Sequence, residues 1–297
     1  MIKHLLRNQI DSDKWDACIT NAPQKLPYGF SWYLDIACEN WSALVLNNYA
    51  AVMPLPYKKK FGVHYLYQPF FTQQLGIFGS GATENFLKAI PEKYKFQHLH
   101  LNYKNSIEEI SNYKIEDVQN LVIHPKNKKL KEDFSTHCLR NIKKANSNDL
   151  KIRAVSVDVL IKQFRENRGK EIQHLRNSNY KTLQELINAL IAYKMAEVYG
   201  IFDKKENLLG GAVFVKFRQR NIFYFSSTDS HGRKNKAMYF LLDKMLKRSN
   251  SEQITWDFEG SNDENLARFY KGFGATNENY FSLKLNNLPL PLRILKR

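Results

Sequence analysis

The stretch that decides the fold is residues 208–274, LLGGAVFVKFRQRNIFYFSSTDSHGRKNKAMYFLLDKMLKRSNSEQITWDFEGSNDENLARFYKGFG. Two runs rich in β-branched and aromatic residues, Gly211–Phe217 and Ile222–Ser226, flank the polar turn Arg218–Asn221 and predict a β-hairpin. A basic polar loop follows, and apolar residues then recur at helical spacing. The remainder predicts a short strand over Ile254–Phe258 and a second amphipathic helix. The predicted order is strand, strand, loop, helix, strand, helix.

The loop from Ser227 to Lys236 suggests an anion site. A strand that runs through a polar loop into a helix directs the free N–H groups and positive dipole end of that helix into the loop. Such a place suits a phosphate or pyrophosphate group, and Arg233, Lys234 and Lys236 would add charge-assisted hydrogen bonds. The alternative interpretation is a solvated basic turn capped by Asn235, and the pattern leaves both open.

Three motifs in this stretch resemble the GNAT N-acyltransferase superfamily, and especially its FemAB-like branch. STDSHGR at 227–233 precedes a helix, where GNAT proteins place their pyrophosphate loop. WDFEGSND at 256–263 is similar to a strand-end segment of FemAB-like proteins. ARFYKGFGA at 267–275 resembles the FemAB-like ending and the GNAT pattern of a Phe-Tyr pair before Gly-Phe. Two positions depart from the family, because Lys236 stands where GNAT loops have glycine and Tyr270 where FemAB-like proteins often have lysine.

The resemblance implies an acyl-CoA donor bound by the loop and by the strand before it. Backbone N–H groups in Phe225–Thr228 would stabilise the oxyanion, and the amide arm of the donor would lie along the strand edge. The predicted donor-binding residues are Phe225, Ser226, Ser227, Thr228, His231, Gly232, Arg233, Lys234, Asn235, Lys236 and Ala237. His231 is also a proton acceptor by type, with an exposed loop histidine as the alternative. No tightly bound cofactor and no metal site is predicted.

Acyl transfer to an amine requires a base for the amine and an acid for the leaving group. Tyr270 matches the tyrosine that GNAT proteins use as a general acid, and the alternative is a core tyrosine on an apolar helical face. Asp257 and Glu259 have the same side-chain parity at a strand end, so a regular strand directs both to one face as candidate bases. The alternative is a strand-end carboxylate that caps the next turn. Glu259 is the stronger candidate because Gly260 follows it, where the chain must open.

The two halves of the chain repeat one order of elements. In each half two helices precede a hairpin, and another strand, a polar loop, a helix and a further strand follow; Gln73-Gln74-Leu75-Gly76 takes the loop position in the first half. We predict an α/β (α+β) protein of two tandem GNAT-like domains, each with a mixed, mostly antiparallel sheet flanked by helices. The predicted domains are residues 1–146 and residues 147–297, and the second carries the donor site.

The chain of 297 residues has a formal net charge of +16, which favours anionic partners. Its densest basic region is Lys126–Arg153. This region predicts either a solvated basic helix or a contact with RNA or tRNA. The three cysteines are widely spaced and lack a metal-binding pattern, which favours a reducing, cytoplasmic setting over a disulfide scaffold or a zinc site.

Several enzyme classes lack their motifs in this sequence, among them the nucleophile elbow, the P-loop and the dinucleotide fingerprint. No apolar run approaches the roughly 18–20 residues that cross a bilayer. We therefore expect a cytoplasmic N-acyltransferase that moves an acyl group from acyl-CoA to an unidentified amine. The open alternatives are FemAB-like aminoacyl transfer from charged tRNA, a nucleic-acid-binding module, and a non-catalytic relative that binds a partner.

Overall fold

The computed structural model describes residues 1–60, 62–107, 112–125, 131–172, 175–249, 253–260, 262–290 and 292–295. The chain forms two compact units, one of residues 1–119 with 279–297 and the other of residues 120–278. These bounds differ from the predicted division after residue 146. Among the helices in the described ranges, none is long and apolar enough to cross a bilayer.

The first unit is built around a sheet with the strand order β1-β2-β3-β4-β6-β15-β7, and β5 pairs with β3. Only the β4/β6 pairing in this sheet is parallel among the described strands. The elements of this unit are β1 (Ile2–Leu6), α1 (Ser12–Asn21), α2 (Ser31–Ala37), β2 (Trp41–Leu46), β3 (Ala51–Lys60), β4 (Val63–Leu66), β5 (Phe78–Gly79), α3 (Thr83–Lys88), β6 (Tyr94–His100), β7 (Lys114–Val118), β15 (Tyr280–Asn286) and α10 (Leu292–Leu295).

The second unit has the sheet order β14-β8-β13-β12-β11-β10-β9, with β12 and β13 parallel. Its elements are β8 (Leu121–Ile123), α4 (Thr136–Asn146), β9 (Lys151–Ala154), α5 (Val157–Glu166), α6 (Asn177–Ala192), β10 (Ala196–Phe202), β11 (Leu208–Phe217), β12 (Arg220–Thr228), α7 (Ser230–Lys234), α8 (Ala237–Arg248), β13 (Thr255–Asp257), α9 (Glu264–Gly272) and β14 (Thr276–Asn277). The predicted fold class, a tandem of mixed and mostly antiparallel sheets flanked by helices, is confirmed.

Each predicted half of the chain, residues 1–146 and residues 147–297, contributes one strand to the sheet that is built mainly from the other half. β8 follows the elements of the first unit in the chain but pairs with β13 and β14 in the second sheet. β15, near the end of the chain, pairs with β6 and β7 in the first sheet. A single cut such as the predicted one therefore cannot separate the two sheets, because the order of elements does not specify which sheet a strand joins.

Helices cover both faces of the second sheet. On one face α4, α8 and α9 bury apolar side chains such as Ile142, Leu241 and Tyr270 in one core cluster. On the other face lies α5, whose Leu160 side chain occupies the space beside Gly211 of β11. Each fully buried leucine or phenylalanine contributes roughly 1.5–3 kcal/mol. These two layers hold β12 and β13 in place at the centre of the sheet.

The predicted loop over 227–236 is partly helical, which corrects the sequence interpretation. The Asp229 side chain caps the short helix α7 by accepting a hydrogen bond from the Gly232 N–H at 2.6 Å. The aspartate cap and the glycine that allows a close approach to the sheet are the local reasons for this extra turn.

Candidate active site

The parallel strands β12 and β13 separate soon after they begin. Their pairing runs only from Arg220↔Thr255 to Ile222↔Asp257, while β12 continues to Thr228. Among the described residues no strand pairs with this edge of β12 beyond Ile222. We call this separation the fork. Its open edge of backbone groups is the kind of place where the amide arm of a ligand can add like a strand.

Tyr270 covers the fork. Its ring stacks on Phe258, the residue after β13, with centroids 4.6 Å apart and an interplanar angle of 12°. It also contacts Phe223, the first residue of β12 beyond the pairing, edge to face at 6.2 Å. The structure therefore brings the predicted acid to the point where the two strands part. The competing interpretation, a core tyrosine, agrees with its exposure of only 5%.

The environment of Tyr270 keeps its hydroxyl protonated. Burial, and then the negative charges of Glu259 and Asp263, raise the pKa of Tyr270 well above its ordinary value. A phenol in this state can donate a hydrogen bond or a proton at neutral pH, and it does not act as a base there.

Glu259 lies at a sharp turn directly beyond β13. Its backbone has a φ of 49°, in the left-handed region that disfavours residues with a side chain. The side chain is half-buried, and Gly260 next to it is exposed. The predicted candidate base therefore sits on strained backbone beside the fork, and such strain is found disproportionately at functional sites.

Asp257 has no exposed surface. Its Oδ2 accepts from Arg220 Nη1 at 2.5 Å, and its Oδ1 accepts from Asn120 Nδ2 and from the Glu259 N–H, each at 3.0 Å. Arg220 Nη2 also donates to Glu278 Oε1 at 2.5 Å. We call this set of side chains the Arg220 network. It leaves Asp257 no accessible oxygen, which favours the capping alternative over direct proton transfer.

Sequence reasoning did not select Arg220, Asn120 or Glu278. It assigned Arg220 to the polar turn before β12, whereas the turn ends at Gln219 and Arg220 is the first strand residue, only 2% exposed. The available signal was an arginine next to a run of apolar residues, because a buried arginine requires a carboxylate partner.

Gly232 allows α7 to pack directly on β11. A Cβ at this position would lie 2.1 Å from the Leu209 carbonyl oxygen and 2.8 Å from Thr228 Cγ2. The Leu209 oxygen also accepts the Asp229 N–H at 3.2 Å, so it cannot move freely. Gly232 therefore has a packing role between α7 and β11, and its predicted donor-binding role stays a prediction.

We expect Gly232→Ala to lower the free energy of unfolding by about 1–3 kcal/mol, because α7 must shift away from β11. Gly272→Ala is the matched control, since a Cβ there meets its nearest atoms at 3.5 Å and lies in a helix. It should be neutral or stabilising by up to about 1 kcal/mol. Urea denaturation measures both variants, and equal effects would contradict the steric explanation.

Lys236 links α7 to α8 with a left-handed backbone, φ 60° and ψ 35°. Glycine adopts this conformation without a steric penalty. Lys236, which stands where the GNAT loop pattern has glycine, therefore has the backbone conformation that a glycine would favour. Ala237 is buried and begins α8. Asn235 is anchored from outside the loop, because Asn148 Nδ2 donates to its carbonyl oxygen at 3.2 Å. The elbow at 235–236 is therefore fixed at the beginning of α8.

The other predicted donor residues are divided between strand and helix. Ser226 and Phe225 are half-buried on β12, and the Phe225 ring packs on Phe164 at 5.0 Å. Ser227 is 3% exposed, and its hydroxyl oxygen has no hydrogen-bond partner among the described residues. The half-buried Thr228 ends β12.

The polar residues of α7 are mostly on the surface. His231, Arg233 and Lys234 are exposed, and Arg233 Nη1 donates back to the Thr228 carbonyl at 3.0 Å. The donor-loop residues are thus gathered between the end of β12 and the beginning of α8. Their predicted binding role stays a prediction.

The corresponding loop of the first unit is filled by amide side chains. Asn102 Nδ2 donates to the carbonyl oxygens of Leu75 and Ile77 at 2.7 and 2.8 Å. Gln74 is fully buried, and its Oε1 accepts the Tyr103 N–H at 2.9 Å. The Ile77 N–H likewise donates to Asn105 Oδ1 at 2.8 Å, so side chains of the unit already accept N–H groups beside this loop. The placement of the donor site in the second unit stays a prediction.

The basic region contributes an exposed helix face to the second unit. Of Lys126–Arg153, residues 126–130 lie outside the described part of the chain. In α4 the side chains of His137, Arg140, Lys143 and Lys144 are exposed, while Cys138, Ile142 and Ala145 face the core. Asn148, just beyond this helix, is the residue that reaches the elbow at Asn235. The basic face therefore ends beside the donor loop.

No protein-family model and no curated protein matches this sequence. Solved structures do match its fold, and FemX superposes with a TM-score of 0.69 at 12% identity, covering 99% of each chain. The fold is the tandem GNAT-like fold of FemX. L-PGS from Bacillus licheniformis is similar at a TM-score of 0.56 and 9% identity, covering 96% of this chain and 94% of its own.

A tandem GNAT protein from the clavulanic acid biosynthesis pathway is also similar, at a TM-score of 0.54 and 8% identity, and 97% of this chain and 99% of the other are covered. The likeness extends over both units of the tandem GNAT-like fold. At these identities it concerns the fold alone. The donor and the acceptor must therefore be argued from the site.

Proposed function

We propose that this protein transfers an acyl group from acyl-CoA to an amine at the fork of the second unit. The observation that carries the proposal is the position of Tyr270, whose ring contacts Phe258 and Phe223 on the two sides of the separating strands. The strained turn at Glu259 follows Phe258, and the elbow that begins α8 comes after the other end of β12. In this proposal Tyr270 is the acid, Glu259 is the base and the elbow is the anion site.

The proposed chemistry balances with these groups. The amine nitrogen attacks the thioester carbonyl and loses a proton to the Glu259 carboxylate, and a backbone N–H of Phe225–Thr228 stabilises the oxyanion. The carbon–sulfur bond then breaks as the carbonyl reforms, and the leaving thiolate takes a proton from the Tyr270 hydroxyl. Solvent returns the proton of Glu259 to the tyrosine. The pyrophosphate of the donor lies at the start of α8, near Arg233 and Lys236.

Thermal-shift and calorimetric titration with acetyl-CoA and a longer acyl-CoA test the donor. We expect a rise in melting temperature because a ligand that binds the folded state stabilises it. Replacing both Arg233 and Lys236 by alanine should weaken binding at least about tenfold, because charge-assisted hydrogen bonds are lost.

The matched control replaces Lys216 and Arg218 by alanine. Both residues are exposed, and their replacement removes the same charge as the Arg233 and Lys236 variant. They lie near the beginning of β12, and Thr228 at its other end is about 26 Å from Arg220 at the usual rise per strand residue. The control should bind acyl-CoA like the natural protein. Equal weakening in the two double variants, or no stabilisation by any acyl-CoA, would refute the proposed donor site.

The second candidate is aminoacyl transfer from charged tRNA, and the exposed basic face of α4 favours it. One side of α4 carries Arg140, Lys143 and Lys144. Asn148, two residues after the end of this helix, donates to the elbow at Asn235. A polyphosphate backbone on this face would bring its terminal acyl group towards the donor loop. In the same titrations, stabilisation by tRNA that weakens with salt, without a response to acyl-CoA, would favour this candidate.

A further inference from the structure

The turn at Glu259 requires something to hold it. A residue with a side chain rarely adopts a φ of 49°, because its Cβ then crowds the backbone. The turn is beyond the last ladder position of β13, which is Asp257. The ladder positions of β13 therefore end two residues before Glu259.

Asp257 supplies a hydrogen bond to this turn. Its Oδ1 accepts the Glu259 N–H at 3.0 Å, two residues further along the chain. The same oxygen accepts Asn120 Nδ2 at 3.0 Å, and the other oxygen accepts Arg220 Nη1 at 2.5 Å. With donors on both oxygens and no exposed surface, this carboxylate has one orientation.

The groups that orient Asp257 are themselves fixed to neighbouring strands. Arg220 begins β12 and also donates to Glu278 Oε1 at 2.5 Å. The Glu278 N–H donates to the Asn120 carbonyl oxygen at 2.9 Å, so the residue before β8 and the residue after β14 are tied together. The Arg220 network therefore joins four adjacent strands of the sheet, in the order β14-β8-β13-β12, at the closed end of the fork.

We propose that Asp257 is a positioning residue: its carboxylate, oriented by Arg220 and Asn120, holds the Glu259 backbone in the left-handed conformation and thereby fixes the Glu259 carboxylate relative to Tyr270. This assignment replaces the direct catalytic role predicted for Asp257. It rests on the proposed function only for the chemical task of Glu259, because the fixed turn itself can be measured without a substrate.

Asp257→Asn and Glu278→Gln form a matched pair of variants. Both change one carboxylate of the Arg220 network to an amide, and only Asp257 touches Glu259. An asparagine has a single oxygen and cannot accept from Arg220 on one side and from the Glu259 N–H on the other. A glutamine at 278 keeps one oxygen for Arg220 and leaves the turn unaffected.

Hydrogen–deuterium exchange of the Glu259 amide in the full chain is the primary measurement. We expect exchange at least about tenfold faster in Asp257→Asn than in Glu278→Gln, under conditions where both are folded. Equal exchange in the two variants would overturn the proposal. Because this readout needs no donor, it stands even if no acyl-CoA is turned over, and the two failures are thereby distinguished.

A double-mutant cycle supplies the second readout where turnover is observed. Asp257→Asn should lower kcat at least about tenfold in the natural protein and have no further effect in a Glu259→Ala background, because the positioned group is already absent. Independent, multiplying losses would contradict positioning through Glu259.

If Asp257→Asn does not fold, Asn120→Ala takes its place. Asn120 donates to the same Asp257 oxygen that accepts the Glu259 N–H, and its removal keeps the Arg220–Asp257 pair. We expect the Glu259 amide to exchange faster in Asn120→Ala than in Glu278→Gln, and equal exchange overturns the proposal.

Discussion

Tyr270→Phe is expected to reduce turnover by about 10²-fold or more while the protein remains folded and still binds its donor. Phenylalanine keeps the ring that stacks on Phe258 at 4.6 Å, so the packing at the fork is retained. Only the hydroxyl that would protonate the leaving thiolate is lost. Steady-state kinetics with the donor identified by titration measure the effect, and the unfolding free energy should change by less than about 1.5 kcal/mol.

Tyr239→Phe is the matched control, because Tyr239 is a half-buried tyrosine of the same aromatic cluster, with its ring 4.8 Å from Phe269. Its turnover should stay within about twofold of the natural protein. Because burial and the charges of Glu259 and Asp263 raise the pKa of Tyr270, the tyrosine keeps its proton from neutral pH to about pH 10 and contributes no alkaline loss of turnover there. Unchanged turnover in Tyr270→Phe would return this residue to a purely structural role.

Arg220→Leu should lower the free energy of unfolding by about 3–5 kcal/mol. The arginine side chain is 3% exposed and serves Asp257, which is fully buried, and Glu278, which is 14% exposed. Its removal leaves the fully buried Asp257 carboxylate and the largely buried Glu278 carboxylate without this cation. When one partner of such a pair is removed, the remaining buried charge has lost its hydration without gaining a partner. The loss of stability can therefore be larger than the net stabilisation that the intact pair provides.

Arg248→Leu is the control for Arg220→Leu. Arg248 pairs with Glu197 at 3.3 Å on the surface of the same unit, with side chains that are 59% and 57% exposed. Surface pairs of this kind contribute at most about 1 kcal/mol. Chemical denaturation of both variants compares them directly, and a similar small change in each would show that the Arg220 network is not needed for folding.

The sequence indicated the elements around the fork because their signals are local. The hairpin predicted at Gly211–Phe217 and Ile222–Ser226 falls inside β11 and β12, since β-branched and aromatic residues favour a pleated, buried backbone. The predicted strand Ile254–Phe258 contains β13. The motif at 267–275 contains Tyr270, the residue that covers the fork. The role of Tyr270 as an acid stays a prediction.

The tertiary structure decided what depends on residues far apart in the chain. Arg220 reaches Asp257 across 37 positions, and the Leu209 carbonyl oxygen of β11 leaves no room for a side chain at Gly232. β8, from the first half of the chain, joins the second sheet, and β15, from the second half, joins the first. Periodicity and propensity report the backbone within a few residues, and neither specifies which strands become neighbours. The sequence by itself therefore determined a tandem of mixed sheets with a basic turn before a helix. Packing decided that Asp257 is enclosed and that Tyr270 meets Phe258 and Phe223, because burial and contact are properties of the assembled sheet and helices.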